Sequence, residues 1–218
     1  MPQLPAPLLC LVTDRKVLRG ITLEEAVQKA VAGGCNLVQL REKDLPAGQL
    51  LSLAKALRAV TAGRALLFIN DRVDVALACD ADGVQLGEES LPVAAVRRIA
   101  GDRLLIGRSV HSEEGAVEAQ RLGADLLIVG TMFETASHPG AVAAGTSLLR
   151  RVTSAVNVPI LGIGGVTRHN VGQVMDAGAC GVAVVREVLA SPDPEASARS
   201  LMAEIREAWL SRTARARD

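Results

Sequence analysis

The segment VQLREKD, residues 38–44, shows most clearly the pattern from which the fold of this chain can be predicted. Its first and third residues, Val38 and Leu40, are apolar, as in a buried strand. The polar residues Gln39, Arg41 and Lys43 are spaced two apart. Alternate residues of a strand share one face. We therefore predict a buried strand whose final residues present an amide, a guanidinium and an ammonium group side by side on one face.

The same order, a short apolar run followed by a longer amphipathic segment, occurs eight times along the chain. A Thr22–Glu25 capping box marks the start of the first helix. Eight such units in about 200 residues predict one α/β domain over 1–218, a single (βα)8 TIM barrel. An open doubly wound sheet is the alternative, but no GxGxxG motif opens the first helix. The predicted strands are 8–14, 36–43, 65–72, 83–89, 104–112, 125–135, 158–165 and 181–185, and the predicted helices are 22–34, 46–61, 72–79, 92–100, 113–122, 146–156, 168–177 and 194–212.

Composition excludes several classes of protein. The 218 residues carry 24 basic and 24 acidic side chains, so the formal net charge of zero favours neither nucleic acid nor a membrane surface as partner. No apolar run approaches the roughly 20 residues of a membrane helix, and the N-terminus does not resemble a secretion signal. The four scattered cysteines have no zinc-binding spacing. We expect buried reduced thiols in a cytoplasmic protein, and the sequence leaves a homo-oligomer open.

Polar side chains and glycines follow the predicted strands, where parallel buried strands should be apolar. In a TIM barrel these positions form the rim that holds the active site. An anion between Arg41, Lys43 and Arg108 would compensate their charge, whereas ion pairs with nearby carboxylates are the structural alternative. The rim residues are Asp14, Gln39, Arg41, Lys43, Asn70, Asp71, Gln85, Glu88, Glu89, Arg108, Ser109, His111, Thr131, Glu134, Thr135, Gly164 and Gly165.

Two further motifs suggest ligands. In GIGGVT, residues 162–167, glycines let backbone N–H groups approach an anion, and Thr167 can cap the next helix. Because the loops after strands seven and eight of such barrels commonly hold a phosphate, we predict a phosphate site here. In NDR, residues 70–72, Asn70 and Asp71 offer oxygen ligands for Mg²⁺, although Asp71 could equally cap the following helix.

Taken together, these motifs resemble the thiamine-phosphate synthase/TenI family across almost the whole chain. The segments QLREK, INDRVDVAL, ADGVQLG, IGRSVHSEEGAVEAQ, GADLLIVGTMFET, VPILGIGGVT and AGACGVAVV carry the resemblance. It implies a (βα)8 barrel that binds phosphorylated thiamine precursors. In the synthase branch a hydroxymethylpyrimidine diphosphate loses pyrophosphate with Mg²⁺ assistance, and the nitrogen of a thiazole phosphate attacks the resulting cation.

The resemblance assigns roles to residues that match the synthase motifs. Gln39, Arg41 and Lys43 would hold pyrimidine and pyrophosphate, with Ser109 nearby. Asn70 would contact substrate, and Asp71 would bind the metal if the chain acts as a synthase. The glycine pair would hold the thiazole phosphate. The remaining expected substrate contacts are Arg108, Thr131, Thr135, Val185 and Arg186.

The chain departs from the synthase pattern at three places. Ser90 stands where a second metal-binding aspartate is expected, His138 stands in place of a lysine in the loop after strand six, and Arg186 replaces a small serine. The first two changes weaken metal binding and leaving-group stabilisation. Glu88 or Glu89 are the available substitutes for the carboxylate.

Strands five and six look more like the TenI branch, which aromatises a thiazole carboxylate phosphate tautomer by moving a proton. That reaction needs a general acid or base, and the histidine expected in TenI is Thr131 here. The candidate catalytic residues are His111, His138 and Glu134. Our first prediction is a cofactor-independent TenI-like thiazole tautomerase. The alternatives are a Mg²⁺-dependent thiamine-phosphate synthase and a non-catalytic binder of thiazole or thiamine phosphate.

Overall fold

The computed structural model describes residues 3–135 and 144–215 and shows a closed parallel barrel with strand order β1-β2-β3-β4-β5-β6-β7-β8. Every neighbouring pair of strands is parallel, including β8 with β1, which closes the barrel. The predicted TIM barrel is therefore confirmed. The strands are β1 (Leu8–Val12), β2 (Leu37–Leu40), β3 (Leu66–Asn70), β4 (Gly83–Leu86), β5 (Leu105–Val110), β6 (Leu126–Gly130), β7 (Ile160–Ile163) and β8 (Gly181–Val184).

Helices alternate with the strands and cover the outside of the barrel. At the start of the first helix, Thr22 accepts a hydrogen bond from the Glu25 amide and Glu25 accepts one from the Thr22 amide, which confirms the predicted capping box. No helix among the described residues is long and apolar enough to cross a membrane. The helices are α1 (Leu23–Ala32), α2 (Ala47–Thr61), α3 (Val73–Ala78), α4 (Val93–Ala100), α5 (Glu113–Arg121), α6 (Gly145–Ala155), α7 (Val171–Asp176), α8 (Arg186–Leu189) and α9 (Pro194–Arg215).

Several predicted boundaries were wrong at the carboxyl end of the barrel. Strand β2 ends at Leu40, because the amide of Arg41 donates to the buried hydroxyl of Thr13 at 2.9 Å instead of continuing the ladder. Arg41 and Lys43 therefore lie in a loop and do not share a strand face with Gln39. Helix α8 was missed, since its four residues are too few to show a periodic pattern.

Two apolar layers make up the core. Alternate strand residues fill the barrel interior, where Phe68 is the largest fully buried side chain. The intervening residues pack against the helices. Three of the cysteines, Cys10, Cys35 and Cys79, are buried, Cys180 is half-buried, and all four are free thiols. Burial raises the pKa of the Cys35 thiol to about 12, which keeps it protonated and unreactive.

The amino ends of the strands are closed by a repeated polar contact. The residue before β2, β4 and β6 has a side chain that accepts a hydrogen bond from the backbone amide of the preceding strand, at 2.7–2.9 Å. These bonds are Leu9 to Asn36, Leu67 to Asp82 and Ile106 to Asp125. Arginines of α2 and α4 hold the two carboxylates in place through Arg58–Asp82 and Arg97–Asp125 ion pairs. Polar groups at this end are thus used for stability, and the opposite end is left for a site.

Candidate active site

Four polar side chains share the interior face at the carboxyl end of the barrel, which we call the mouth. These side chains belong to one residue each of β2, β3, β4 and β5, namely Gln39, Asn70, Gln85 and Ser109. They point inward because they alternate with outward-facing residues, as do the interior core residues Leu37, Phe68 and Leu105 of the same strands. Phe68 packs below them in the apolar interior. The polar side chains therefore form the floor of the mouth and meet any ligand that enters it.

Asp71 stands at the end of a hydrogen-bonded chain across this floor. The Gln39 amide donates to Asn70 Oδ1 at 2.9 Å, and Asn70 Nδ2 donates to Asp71 Oδ2 at 2.7 Å. The Asp71 backbone adopts φ 61°, a left-handed conformation that aspartate tolerates better than most residues. Its other oxygen, Oδ1, accepts hydrogen bonds from the Ser90 hydroxyl and, at 3.3 Å, from the Gly87 amide. Asp71 does not cap α3, whose N-cap residue is Arg72.

The donor set at Asp71 fits Mg²⁺ only with help from a ligand. Among the described residues no group of three or more His, Cys, Asp or Glu side chains could hold a metal ion. Asp71 supplies one carboxylate and Ser90 adds a hydroxyl oxygen in contact with it. Mg²⁺ is commonly held by one or two carboxylates together with waters and substrate phosphates. The residues present thus fit an ion that arrives with a phosphorylated substrate.

Two of the predicted anion-binding cations are available at the mouth. The side chains of Arg41 and Lys43 make no hydrogen bond or ion pair with any residue of 3–135 or 144–215. The alternative prediction, ion pairs with Asp71, Glu88 or Glu89, finds no counterpart in these ranges. Arg108 differs from the prediction, because it lies on the outer face of β5 and donates to the carbonyls of Gly87 and Glu88 at 2.6 and 3.2 Å. It holds the loop after β4 in place.

A cluster that the sequence did not reveal fixes the loop carrying Arg41 and Lys43. Glu42 is only 5% exposed and accepts hydrogen bonds from the backbone and guanidinium of Arg15 at 3.1 and 2.8 Å. Arg15 also binds both oxygens of Asp44, at 2.7 and 2.8 Å. Hydrogen bonds from Arg15 hold the pKa of the Asp44 carboxyl well below its usual range. We call Arg15, Glu42 and Asp44 the β2 clamp.

The opposite side of the mouth is built from backbone. Gly164 and Gly165 follow β7 with φ values of 99° and 63°, and no described residue accepts a hydrogen bond from their amides. Added Cβ atoms would lie 2.5 Å from Thr131 Cγ2 and 2.4 Å from the Glu134 carbonyl oxygen, respectively. Only glycine fits here, and consecutive N–H groups in such a turn form an anion-binding concavity. The predicted phosphate site has a suitable geometry.

The predicted contribution of the following helix to this site was wrong. Helix α7 begins at Val171 rather than at residue 168, and Thr167 Oγ1 accepts a hydrogen bond from the His169 amide at 3.3 Å instead of capping the helix. Asn170 bridges the turn, since its side chain bonds the Thr167 amide and the Gly165 carbonyl. The glycine amides, and not a helix end, are therefore the groups that this turn offers to an anion.

The loop after β6 lies across the glycine pair. The amides of Met132 and Phe133 donate to the carbonyls of Ile163 and Gly164 at 2.8 and 2.9 Å. This brings Thr131 against Gly164 and places Glu134 and Thr135 at the edge of the mouth. His138, a predicted catalytic residue, lies outside the described residues.

His111 and the end of β8 complete the rim. His111 Nδ1 lies 2.7 Å from the Gly130 carbonyl oxygen, and its Nε2 lies 3.9 Å from Glu88 Oε1. A carbonyl can only accept, so Nδ1 carries the proton and Nε2 is the basic atom of the neutral ring. Pairing of Ile163 with Ala183 brings Val185 and Arg186 beside the glycine pair. Arg186 is exposed.

Fold and site together define a class: a (βα)8 barrel whose mouth has cations and a carboxylate on one side and, on the other, a glycine turn whose amides are free of described partners. The family model described as thiamine monophosphate synthase matches residues 9–188. The chain therefore belongs to the thiamine-phosphate synthase/TenI family.

Individual relatives agree with this assignment. A protein named thiamine-phosphate synthase from Roseiflexus castenholzii is 45% identical over 192 residues, which are 87% of this chain and 84% of the relative. A putative thiamine-phosphate synthase from Geobacter sulfurreducens is 44% identical over 89% of this chain and 92% of the relative. The solved thiamine phosphate pyrophosphorylase from Pyrococcus furiosus has a TM-score of 0.85 and 37% identity, covering 93% of this chain and 96% of that one. These names favour synthase over the tautomerase that the sequence motifs suggested.

Proposed function

We propose that this protein is a thiamine-phosphate synthase, which couples hydroxymethylpyrimidine diphosphate to thiazole phosphate with release of pyrophosphate. The observation that carries the proposal is the arrangement of the mouth. The chain of hydrogen bonds from Gln39 through Asn70 to Asp71 lies on one side, and the Gly164–Gly165 amides lie on the other. Relatives that are named thiamine-phosphate synthase, and that this chain matches over most of their length, support the same proposal.

Charge complementarity supports assignment of the diphosphate to the β2–β3 side. The β2 clamp holds the loop that carries Arg41 and Lys43, and the side chains of these two residues have no hydrogen-bond or ion-pair partner among the described residues. A diphosphate would satisfy both cations, because charge-assisted hydrogen bonds to phosphate oxygens are among the strongest in proteins. Mg²⁺, when bound at Asp71 together with the diphosphate, would neutralise further charge on the leaving group.

We assign binding of the second substrate, the thiazole phosphate, to the glycine pair. Its amides would hold the phosphate of the thiazole, and Val185 and Arg186 adjoin it at the end of β8. In the coupling step the bond between the pyrimidine methylene and the diphosphate breaks, and pyrophosphate leaves with the electron pair. The lone pair of the thiazole nitrogen then forms the new C–N bond. Holding the two substrates by their phosphates on opposite sides of the mouth places the reacting atoms between them.

A second candidate function, thiazole tautomerase, is favoured by one feature of the rim. The Ser90 hydroxyl occupies the position beside Asp71 where a second carboxylate would strengthen a metal site. His111 meanwhile holds its Nδ1 against the Gly130 carbonyl oxygen, so Nε2 is the ring nitrogen that could accept a proton from a ligand. Proton movement on a thiazole needs the phosphate site and a base, and it needs no metal.

A coupling assay separates these functions. The purified chain is incubated with both phosphorylated substrates and Mg²⁺, and thiamine phosphate is detected by its oxidation to a fluorescent thiochrome. We expect product in the presence of Mg²⁺ and none when EDTA is in excess. The thiazole tautomer alone is supplied in a parallel reaction.

Two results would contradict the proposal. Isomerisation of the tautomer, without thiamine phosphate at saturating substrates, would identify a tautomerase. Phosphate-dependent binding by calorimetry without turnover of either substrate would identify a non-catalytic binder. Replacing Asp71 with Asn is the matched control, since only the coupling reaction should require the carboxylate.

A further inference from the structure

Gln85 is a rim residue whose polar groups are only half satisfied. Its side chain lies in the floor of the mouth and the residue is 2% exposed. Nε2 donates to Ser109 Oγ at 3.1 Å, but the carbonyl oxygen Oε1 is buried and has no hydrogen-bond partner among the described residues. Buried polar atoms of proteins are nearly always paired, so an unpaired one at a ligand-binding mouth requires an explanation.

The neighbouring strand holds this amide where it is. A Cβ atom added at Gly107 would lie 2.0 Å from Gln85 Oε1 and 3.5 Å from the ring of Phe68. The absence of a side chain at Gly107 therefore makes the space in which the amide lies. The oxygen lies at the base of the mouth, next to the Phe68 ring, which supplies no hydrogen-bond donor, and no described group of the barrel interior pairs with it.

The other amides of the floor differ from Gln85. Gln39 and Asn70 bond each other, and Asn70 also bonds Asp71. Of the fully buried side-chain nitrogen and oxygen atoms in the described part of the chain, only Gln85 Oε1 lacks a hydrogen-bond partner. The unpaired acceptor therefore occurs at one position of the floor, next to the Ser109 hydroxyl.

We propose that Gln85 is a specificity-determining residue whose Oε1 accepts a hydrogen bond from an N–H group of a flat nitrogen heterocycle bound in the mouth. The inference rests on the proposed function, in which an aminopyrimidine is the ring that carries such a donor. A site built to pair a donor rejects an analogue without it, because the buried acceptor is then left unsatisfied. Gln85 thus selects the pyrimidine by its amino group, while the cations hold its diphosphate.

The test compares two ligands, the aminopyrimidine diphosphate and an analogue with hydrogen in place of the amino group. Dissociation constants are measured by calorimetry for the unmodified protein and for Gln85→Leu. We expect the unmodified protein to prefer the amino compound by about tenfold or more. Gln85→Leu should bind both compounds with similar affinity, because the acceptor is gone.

Glycine variants provide an independent check. Gly107→Ala should displace the amide and reduce the preference in the same direction. Gly48→Ala is the matched control, since an added Cβ on this exposed helical residue meets nothing within 4 Å. Thermal unfolding of each variant verifies folding.

Three outcomes would overturn the inference. A preference that survives in Gln85→Leu means that the amide is structural or is satisfied by a bound water. No preference in the unmodified protein, with coupling activity intact, removes the inference and leaves the proposed function standing. Failure of the unmodified protein to bind either pyrimidine removes both.

Discussion

The mouth of the barrel has two halves that offer a ligand different kinds of chemical group. The half formed by β2 to β5 presents side chains, namely Gln39, Asn70, Asp71, Gln85 and Ser109. The half formed by β6 to β8 presents backbone amides of Gly164 and Gly165, under a loop that leaves no room for a Cβ atom. A side-chain half can change its chemistry by substitution, whereas a backbone half with no room for a Cβ atom tolerates almost none.

The largest effect is expected at the backbone half. Gly165→Ala combines a left-handed φ of 63° with a Cβ 2.4 Å from the Glu134 carbonyl oxygen. The free energy of unfolding should fall by about 2–4 kcal/mol, and activity with thiazole phosphate should fall by about 100-fold or more. Chemical denaturation and steady-state kinetics measure the two effects.

Gly63→Ala is the matched control for this substitution. Gly63 has a similar φ of 69°, but its added Cβ would meet nothing within 4 Å. It should show only the strain of the left-handed conformation, about 1–2 kcal/mol, and unchanged kinetics. Equal losses in the two variants would contradict the close fit proposed for the glycine pair.

The next effect, on activity rather than stability, is expected at Asp71. Asp71→Asn removes the charge while Asn tolerates the left-handed backbone at this position. Coupling activity should fall by about 100-fold, because the metal and diphosphate lose their carboxylate, while the free energy of unfolding changes little. Unchanged activity or unchanged Mg²⁺ dependence would show that the metal binds elsewhere.

A smaller and more selective effect is expected in the β2 clamp. Arg15→Gln leaves the buried carboxylate of Glu42 without its guanidinium partner and loosens the loop that carries Arg41 and Lys43. The KM for the pyrimidine diphosphate should rise by about three- to tenfold, and the KM for thiazole phosphate should stay the same. Arg121→Gln, which breaks an exposed ion pair with Glu118 on α5, should alter neither. Equal changes in both constants would indicate a general loss of structure.

The smallest effect concerns Ser90. Ser90→Asp places a second carboxylate against Asp71, so the Mg²⁺ concentration at half-maximal coupling should fall by about threefold or more. Without metal the two like charges repel, and the thermal midpoint should fall and then recover as Mg²⁺ is added. A midpoint that does not respond to Mg²⁺ would argue against a metal at this place.

Much of the fold was predictable because its signals are local. Each strand is a short apolar run, each helix has its own periodicity, and the Thr22–Glu25 capping box is read from residues three apart. The strand ends were less predictable. Whether β2 continues beyond Leu40 depends on Thr13, which belongs to a neighbouring strand end and takes the Arg41 amide.

The site residues divide in the same way. The glycine pair and the polar strand ends follow from sequence position, because the carboxyl ends of parallel strands meet at one rim. Three other features do not follow from sequence position: the burial of Glu42 against Arg15, the outward position of Arg108 and the unpaired oxygen of Gln85. Neighbouring residues in a sequence carry no sign of which of them a distant loop will cover.

From the sequence alone it follows that eight βα units close into a barrel and that polar strand ends and a glycine pair gather at one rim. Those properties follow from hydrophobic periodicity and from the backbone conformations that glycine permits, and both are local effects of a few residues. Which polar groups pair with each other, and which stay unpaired, is visible only in the folded barrel. That outcome depends on contacts between strands and loops far apart in the chain, such as Arg15 with Glu42 and Ser90 with Asp71.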